Sequence, residues 1–238
     1  MTTPSPPGTR PRSPFFTDDA LQKNATHCTV RDRNSAVPEW AMIEFWYDFA
    51  STYSHIAAQR IDALAKAAGT TVRWRPFLLG PIFAGQGWST SPFNLFPSKG
   101  KYMWRDMERW SAELGLKLVK PQPFPANSLM AARIALAGEE GGWIGDFSRR
   151  VFAAEFCEGA NIADLEVLRA ILSAMNLNPT QILDAARADA VKSRLRSQTD
   201  LATHLGLFGA PSFVVDGEIF WGNDRLEEAL RWSDRPWA

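Results

Sequence analysis

A chain of 238 residues with 45% hydrophobic content is long enough to bury a sizeable core, which excludes disorder throughout. Lys and Arg total 26 and so do Asp and Glu, and the resulting zero net charge supplies no basic field for a phosphate backbone or an anionic membrane, so neither partner is expected. Two cysteines, Cys28 and Cys157, make no disulfide framework and with three histidines no zinc-ligand spacing, so no metal and a cytoplasmic setting are expected.

No apolar run approaches the roughly 18 residues of a bilayer span, and a positive segment followed by an apolar one is missing at the N-terminus. Residues 1–41 are rich in Pro, Ser and Thr, with Pro4, Pro6, Pro7, Pro11 and Pro14, and carry no sustained hydrophobic period. They are predicted to be a disordered tail ahead of a domain spanning 42–238. Met42 stands one residue before the first strand signal, and a chain started there is expected to fold.

In residues 43–49, Ile43, Phe45, Tyr47 and Phe49 alternate with Glu44, Trp46 and Asp48, the two-residue period of a strand. After a turn at Ala50-Ser51, Ile56, Ala57, Arg60, Ile61, Leu64, Ala65 and Ala68 recur at helical spacing until Gly69 supplies a stop. Residues 70–77 alternate again and end at Pro76, giving a βαβ unit with a right-handed crossover. The stretch from about 79 to 206 is a helical block, with patterns at 99–115, 127–137, 143–157, 165–175 and 179–205 broken by Gly, Pro and Asn. Then come a strand at 212–215, an Asp216-Gly217 hairpin turn, a strand at 219–221 and a last helix with Leu226, Ala229, Leu230 and Trp232 inward. The order β-α-β, helical block, β-β-α is a thioredoxin-like α/β topology with a large helical insertion, although period alone leaves other α/β sheets open.

Three places carry chemistry. Ser51 stands where the first strand hands over to the first helix; exposed N–H groups and the helix dipole favour an anion there, a thiolate included, and a serine at that place is equally a helix cap. Gly209-Ala210-Pro211-Ser212-Phe213 puts a proline at a strand entry, where a cis bond would present the backbone of the preceding residue, but the sequence does not assign the isomer. In Trp221-Gly222-Asn223-Asp224-Arg225 a strand meets the last helix, and Asn223 and Asp224 either cap that helix or face a bound ammonium or carboxylate.

Together with Tyr47-Asp48-Phe49-Ala50-Ser51-Thr52-Tyr53-Ser54, the two later motifs resemble the 2-hydroxychromene-2-carboxylate isomerase family. That family is related to kappa-class glutathione transferases and to DsbA-type thioredoxin folds. The resemblance covers about residues 42–232. It implies glutathione as cofactor, Ser51 as the catalytic residue at its sulfur, and a cofactor site built from Ser51, Lys99, Ala210, Pro211, Asn223 and Asp224. It also implies a cis Ala210–Pro211 bond. The segment from Ser91 to Tyr102 resembles the part that reaches the glycine carboxylate of glutathione and the substrate, which brings in Lys99, read as a loop lysine, and Asn94 and Tyr102 as substrate-binding residues.

One departure stands beside the serine: the family commonly has Pro where this chain has Thr52, which adds a hydroxyl and an N–H beside the sulfur. Implied with the family are a small aromatic carboxylate substrate, a homodimer, and reversible thiolate addition with ring opening and cis/trans rotation. A kappa-like transferase or peroxidase that consumes the thiol is the rival enzyme, and a redox-inactive thioredoxin-fold binding module the rival class. Cys-x-x-Cys disulfide exchange is excluded, because Ser51 and Ser54 hold those two positions. His55 follows Ser51 by one helical turn, but no third acid or Gly-x-Ser-x-Gly elbow supports a hydrolase pair. Cys157 falls in an apolar helical pattern and is expected to be an inert core thiol.

Overall fold

Strand β1 (Met42–Tyr47) lies inside the sheet, and four of its six residues, Ile43, Phe45, Trp46 and Tyr47, are buried. It runs parallel to β2 (Thr71–Pro76), with Met42 opposite Thr71 and Tyr47 opposite Pro76, and helix α1 (Thr52–Ala68) makes the crossover. On its other side β1 pairs antiparallel with β3 (Ser212–Val215), which pairs antiparallel with β4 (Glu218–Trp221), giving the order β2-β1-β3-β4. A 3₁₀ turn at Asn223–Arg225 leads into α10 (Leu226–Trp232). Between β2 and β3 come α2 (Leu79–Gly85), α3 (Pro92–Leu95), α4 (Pro97–Glu113), α5 (Leu129–Ala137), α6 (Ile144–Phe156), α7 (Leu165–Ala174), α8 (Pro179–Arg187) and α9 (Asp189–His204). This is the thioredoxin-like α/β fold with a helical insertion that the sequence predicts.

The computed structural model describes residues 42–233, so the tail prediction for 1–41 lies outside the described residues. Among the described residues no helix is long and apolar enough to cross a membrane.

Both faces of the sheet are covered. Ile43, Phe45 and Tyr47 pack with Phe213 against α1, α5, α6 and α10, where Phe147, Phe152 and Phe156 are fully buried. Trp46 points the other way, with Phe77, Ile82, Ala202 and Leu207. Burying one such side chain contributes roughly 1.5–3 kcal/mol before conformational entropy is set against it.

Several boundaries move for local reasons. β1 ends at Tyr47 and not at Phe49, because Asp48 turns its carboxylate back to the Ala50 N–H at 3.0 Å. Helix α1 stops at Gly69 as predicted, with that residue in the left-handed conformation at φ 68°. Helices α2 and α3 have no counterpart in the sequence reading; one is seven residues long and the other four, too short to show a period. The pattern at 179–205 is two helices, since Ala188 is extended at φ −62° and ψ 146°. Lys99 is not on a loop but in the first turn of α4.

Candidate active site

The end of β1 and the start of α1 are tied together by short polar contacts. Ser51 is the helix cap: its Oγ accepts from the Ser54 N–H at 3.2 Å and donates to the Ala210 carbonyl at 2.9 Å. Its own N–H donates to the Asp48 carbonyl. The Ala210–Pro211 bond is cis, as the family resemblance implies. Helix α1 therefore starts against the proline loop, 159 residues away in sequence.

Asp48 organises the floor beneath this junction. Its carboxylate is buried and also accepts from the Leu79 N–H at 2.8 Å, at the start of α2, and from the Ser128 hydroxyl. Burial pushes its pKa up while these three hydrogen bonds pull it down, and burial wins. The backbone donors at the start of α1 are in a different state. Intrahelical bonding begins with the His55 N–H to the Ser51 carbonyl, so the N–H groups of Thr52 and Tyr53 have no helical acceptor.

These groups open on a cavity of about 1360 Å³ between the sheet's end and helices α2 to α4. Its wall at the polar end includes Ala210, Asn223 and Asp224, and much of the rest is aromatic: Phe83, Trp88, Phe93, Trp110 and Phe124. The concavity, with few polar groups in apolar walls, has the form of a small-molecule site.

The cavity gathers most of the residues singled out from sequence. Ser51, Lys99, Tyr102, Ala210, Pro211, Asn223 and Asp224 all line it. Asn94 stands apart: it lines a second cavity of about 390 Å³, and its amide donates to the Phe124 carbonyl at 3.2 Å and the Thr90 hydroxyl at 3.3 Å. Lys99 holds its Nζ 4.6 Å from the centre of the Phe96 ring. Asn223 is buried; its Oδ1 accepts from Arg60 at 2.9 Å and its Nδ2 has no hydrogen-bond partner. Asp224 is exposed at the rim, 3.9 Å from Arg225.

Sequence reasoning passed over Asp48, Arg60 and Asp106. Arg60 holds Asn223 and pairs with Glu227, and Asp106, in the cavity wall, accepts from the Tyr53 hydroxyl at 3.0 Å. A carboxylate at a strand's end beside a capping serine was a local signal for Asp48. Arg60 and Asp106 have partners 163 and 53 residues away, and no local pattern announces them.

His55 is no partner for Ser51. It is fully buried, its ring 5.3 Å from Phe156 and 6.1 Å from Phe152, and burial lowers its pKa to about 4. Cys157 is half-buried at the end of α6, with Sγ 3.8 Å from His55 Nε2, rather than fully in the core. Burial and then Glu158 push its thiol pKa up, which disfavours the reactive thiolate form.

Residues 42–231 match the model of the DSBA-like thioredoxin domain. The 2-hydroxychromene-2-carboxylate isomerase of Pseudomonas putida is 30% identical over 190 residues, covering 78% of this chain and 90% of that protein. The chain belongs to this isomerase family, within the DSBA-like thioredoxin domain. Membership makes it an enzyme of the isomerase type. A solved structure of a 2-hydroxychromene-2-carboxylate isomerase superposes with a TM-score of 0.70 at 26% identity, covering 78% of this chain and 90% of that one. Glutathione S-transferase kappa 1 of Caenorhabditis elegans is a more distant relative, 23% identical over 204 residues, with 80% of this chain and 89% of that protein covered.

Proposed function

We propose that this isomerase uses glutathione and acts on aromatic carboxylates of the 2-hydroxychromene-2-carboxylate type. The observation that carries the proposal is the start of α1, where the unpaired N–H groups of Thr52 and Tyr53 meet the Ser51 cap and the cis-proline loop at the floor of a large aromatic cavity. A helix start of this kind favours a thiolate over a thiol, and cysteine thiols near pKa 8.5 drop to about 3.5–7.5 in such places. The names of the curated relatives supply the reaction, and the kappa relative supplies glutathione.

The residues present fit a γ-glutamyl tripeptide. Ala210 offers backbone beside the helix start, Asn223 a buried amide whose Nδ2 has no partner, Asp224 a carboxylate for an ammonium, and Lys99 a cation for a carboxylate. Bound there, glutathione supplies a thiolate that adds reversibly to a conjugated carbon, allowing bond rotation, and is released unchanged. The chain's own part is to orient the ligand through Asn223 and Asp224, to hold Ser51 against Ala210, and to surround a flat substrate with Phe83, Trp88 and Phe93. Tyr102, on α4, stands in the same wall as a substrate contact. A cytoplasmic homodimer belongs to the same proposal.

Isothermal titration with glutathione, followed by spectroscopic assay of chromene carboxylate isomerisation, tests it. Binding together with turnover that leaves glutathione undiminished is the expected result. Binding with stoichiometric loss of thiol would transfer the chain to the transferases, and no binding would overturn the proposal.

A further inference from the structure

Thiolate addition and bond rotation move no proton, but the opening of a 2-hydroxychromene ring does. In the closed form the carbon that carries both the hydroxyl and the carboxylate is tetrahedral, so the neighbouring double bond is conjugated to no carbonyl. It becomes a target for a thiolate only once the ring has opened to a ketone. Opening takes a proton from the hydroxyl and delivers one to the ring oxygen, which is work for a group in the cavity wall.

Among the described residues, three carboxylates and no histidine line the cavity. Asp48 is buried, and its oxygens are engaged by the Ala50 and Leu79 N–H groups. Asp224 stands out at the rim beside Arg225. Asp106 is placed differently. It lies on α4 with its side chain 18% exposed; Oδ2 accepts from the Tyr53 hydroxyl at 3.0 Å and Oδ1 from Arg109 at 2.7 Å. A carboxylate has about four lone-pair sites, so both oxygens can take a further donor. Tyr53 sets its position. The backbone N–H of Tyr53 is one of the unpaired donors at the start of α1, and its hydroxyl ends on Asp106, so that carboxylate stands one tyrosine side chain away from the place proposed for the sulfur. Burial, and then the charge of Asp106, push the phenol pKa of Tyr53 up, so Tyr53 keeps its proton and acts as a fixed donor. Arg109 offsets the charge of Asp106, which lets a carboxylate on the same carbon as the hydroxyl approach.

We propose that Asp106 is the catalytic residue that carries the ring-opening proton, with Tyr53 and Arg109 as the positioning residues that aim its carboxylate. The proposal rests on the reading of the cavity as a chromene carboxylate site. The hydroxyl O–H bond breaks and its proton passes to Asp106, while the freed electron pair forms the ketone C=O. The bond from that carbon to the ring oxygen breaks with its pair going to the oxygen, and Asp106 returns the proton to the phenolate. The net step consumes no proton, electron or co-reactant, so one carboxylate suffices.

The test compares the full chain with Asp106→Asn, which keeps an acceptor for Tyr53 but cannot take up a proton. Two substrates are assayed with glutathione: the closed chromene carboxylate, and the methyl ether of its open cis isomer, which cannot close and needs only addition and rotation. The rate on the closed substrate relative to that on the ether should fall at least about a hundredfold in the variant. Ring opening is also read alone, without glutathione, as proton NMR saturation transfer between the closed form and its open cis isomer; wild type should accelerate it and Asp106→Asn should not. Asp106→Ser gives the same two readings should the asparagine variant not fold. Equal losses on both substrates, or equal acceleration of the exchange by wild type and variant, would overturn the role of Asp106 and leave the isomerase reading standing. A wild-type chain that turns over neither substrate would overturn both.

Discussion

Arg60 donates to the side-chain oxygen of Asn223 at 2.9 Å, joining the middle of α1 to the 3₁₀ turn after β4. The same guanidinium reaches the Asn223 carbonyl at 3.3 Å, pairs with Glu227 and lies 4.9 Å from the centre of the Trp110 ring. With Oδ1 anchored, the orientation of the amide is set, and Nδ2 is buried without a hydrogen-bond partner. Arg60→Met keeps the length of the side chain and removes its donors. Glutathione affinity should fall about tenfold, equivalent to one ordinary hydrogen bond of about 1.4 kcal/mol. Calorimetric titration of both proteins measures it, and equal dissociation constants would remove Arg60 from the site.

Ser51→Ala removes the cap bond to Ser54 and the link to Ala210 in one step. Loss of a serine cap costs about 1 kcal/mol, so the fold should survive with a modestly lower melting temperature. Turnover should drop at least about tenfold, because the helix start and the proline loop are no longer held together. Full activity in the alanine variant would show that other contacts set the cavity floor.

Asp224 contributes little to folding where it stands, exposed at the rim with Arg225 at 3.9 Å. Asp224→Ala should therefore leave the melting temperature within error and weaken glutathione binding by roughly tenfold, through loss of the counter-charge to an ammonium. The same variant should bind a glutathione analogue lacking that ammonium as well as wild type does. A uniform loss against both ligands would mean a structural effect on the rim.

A glycine of α4 controls the cavity wall from behind. A Cβ on Gly100 would come within 2.3 Å of the Phe93 carbonyl oxygen, a backbone atom of α3. In an open helix Gly→Ala is worth about 1 kcal/mol of stabilisation, whereas overpacking against backbone costs about 1–3 kcal/mol. The second effect should win, lowering the melting temperature of Gly100→Ala by a few degrees and displacing Phe93 from the wall. A more stable alanine variant would show that α3 yields freely.

The sheet and its flanking helices were legible because they are long and strongly patterned. Val72, Trp74 and the alternation in β1 gave strands, and Gly69 gave a stop. What stayed hidden depends on distance or brevity. Trp46 shares its side of the alternation with Glu44 and Asp48, yet it is fully buried, because β1 lies between two other strands and is covered on both sides. Helix α3 has four residues, opens on Pro92 and is followed closely by Pro97, prolines that look like loop punctuation. Within the site, Ser51, Asn223 and Asp224 carried capping signals that drew attention to both helix starts. Arg60 and Asp106 resemble ordinary surface charges on amphipathic helices until the fold brings their partners to them.

Two buried titratable groups behind the cavity give the fold opposite pH dependences. Burial lowers His55 to about 4 from its ordinary 6.5. Between those values the unfolded chain takes up a proton that the folded chain refuses, so stability falls as pH drops through that window, by an upper limit of about 3 kcal/mol. Glu155, on α6, is also fully buried with both oxygens unpartnered, and burial, followed by the charge of Asp48, raises its pKa well above the usual range. The sign reverses here. The folded chain keeps a proton that the unfolded chain releases, so stability declines as pH rises from the ordinary carboxyl range through the raised folded value. Single variants should separate the two limbs. His55→Leu should flatten the decline between about pH 6.5 and 4, while Glu155→Gln should raise stability at neutral pH and flatten the other limb. Urea unfolding of the three proteins across that range measures both slopes, and an acid limb unchanged in His55→Leu would mean that carboxylates elsewhere set it.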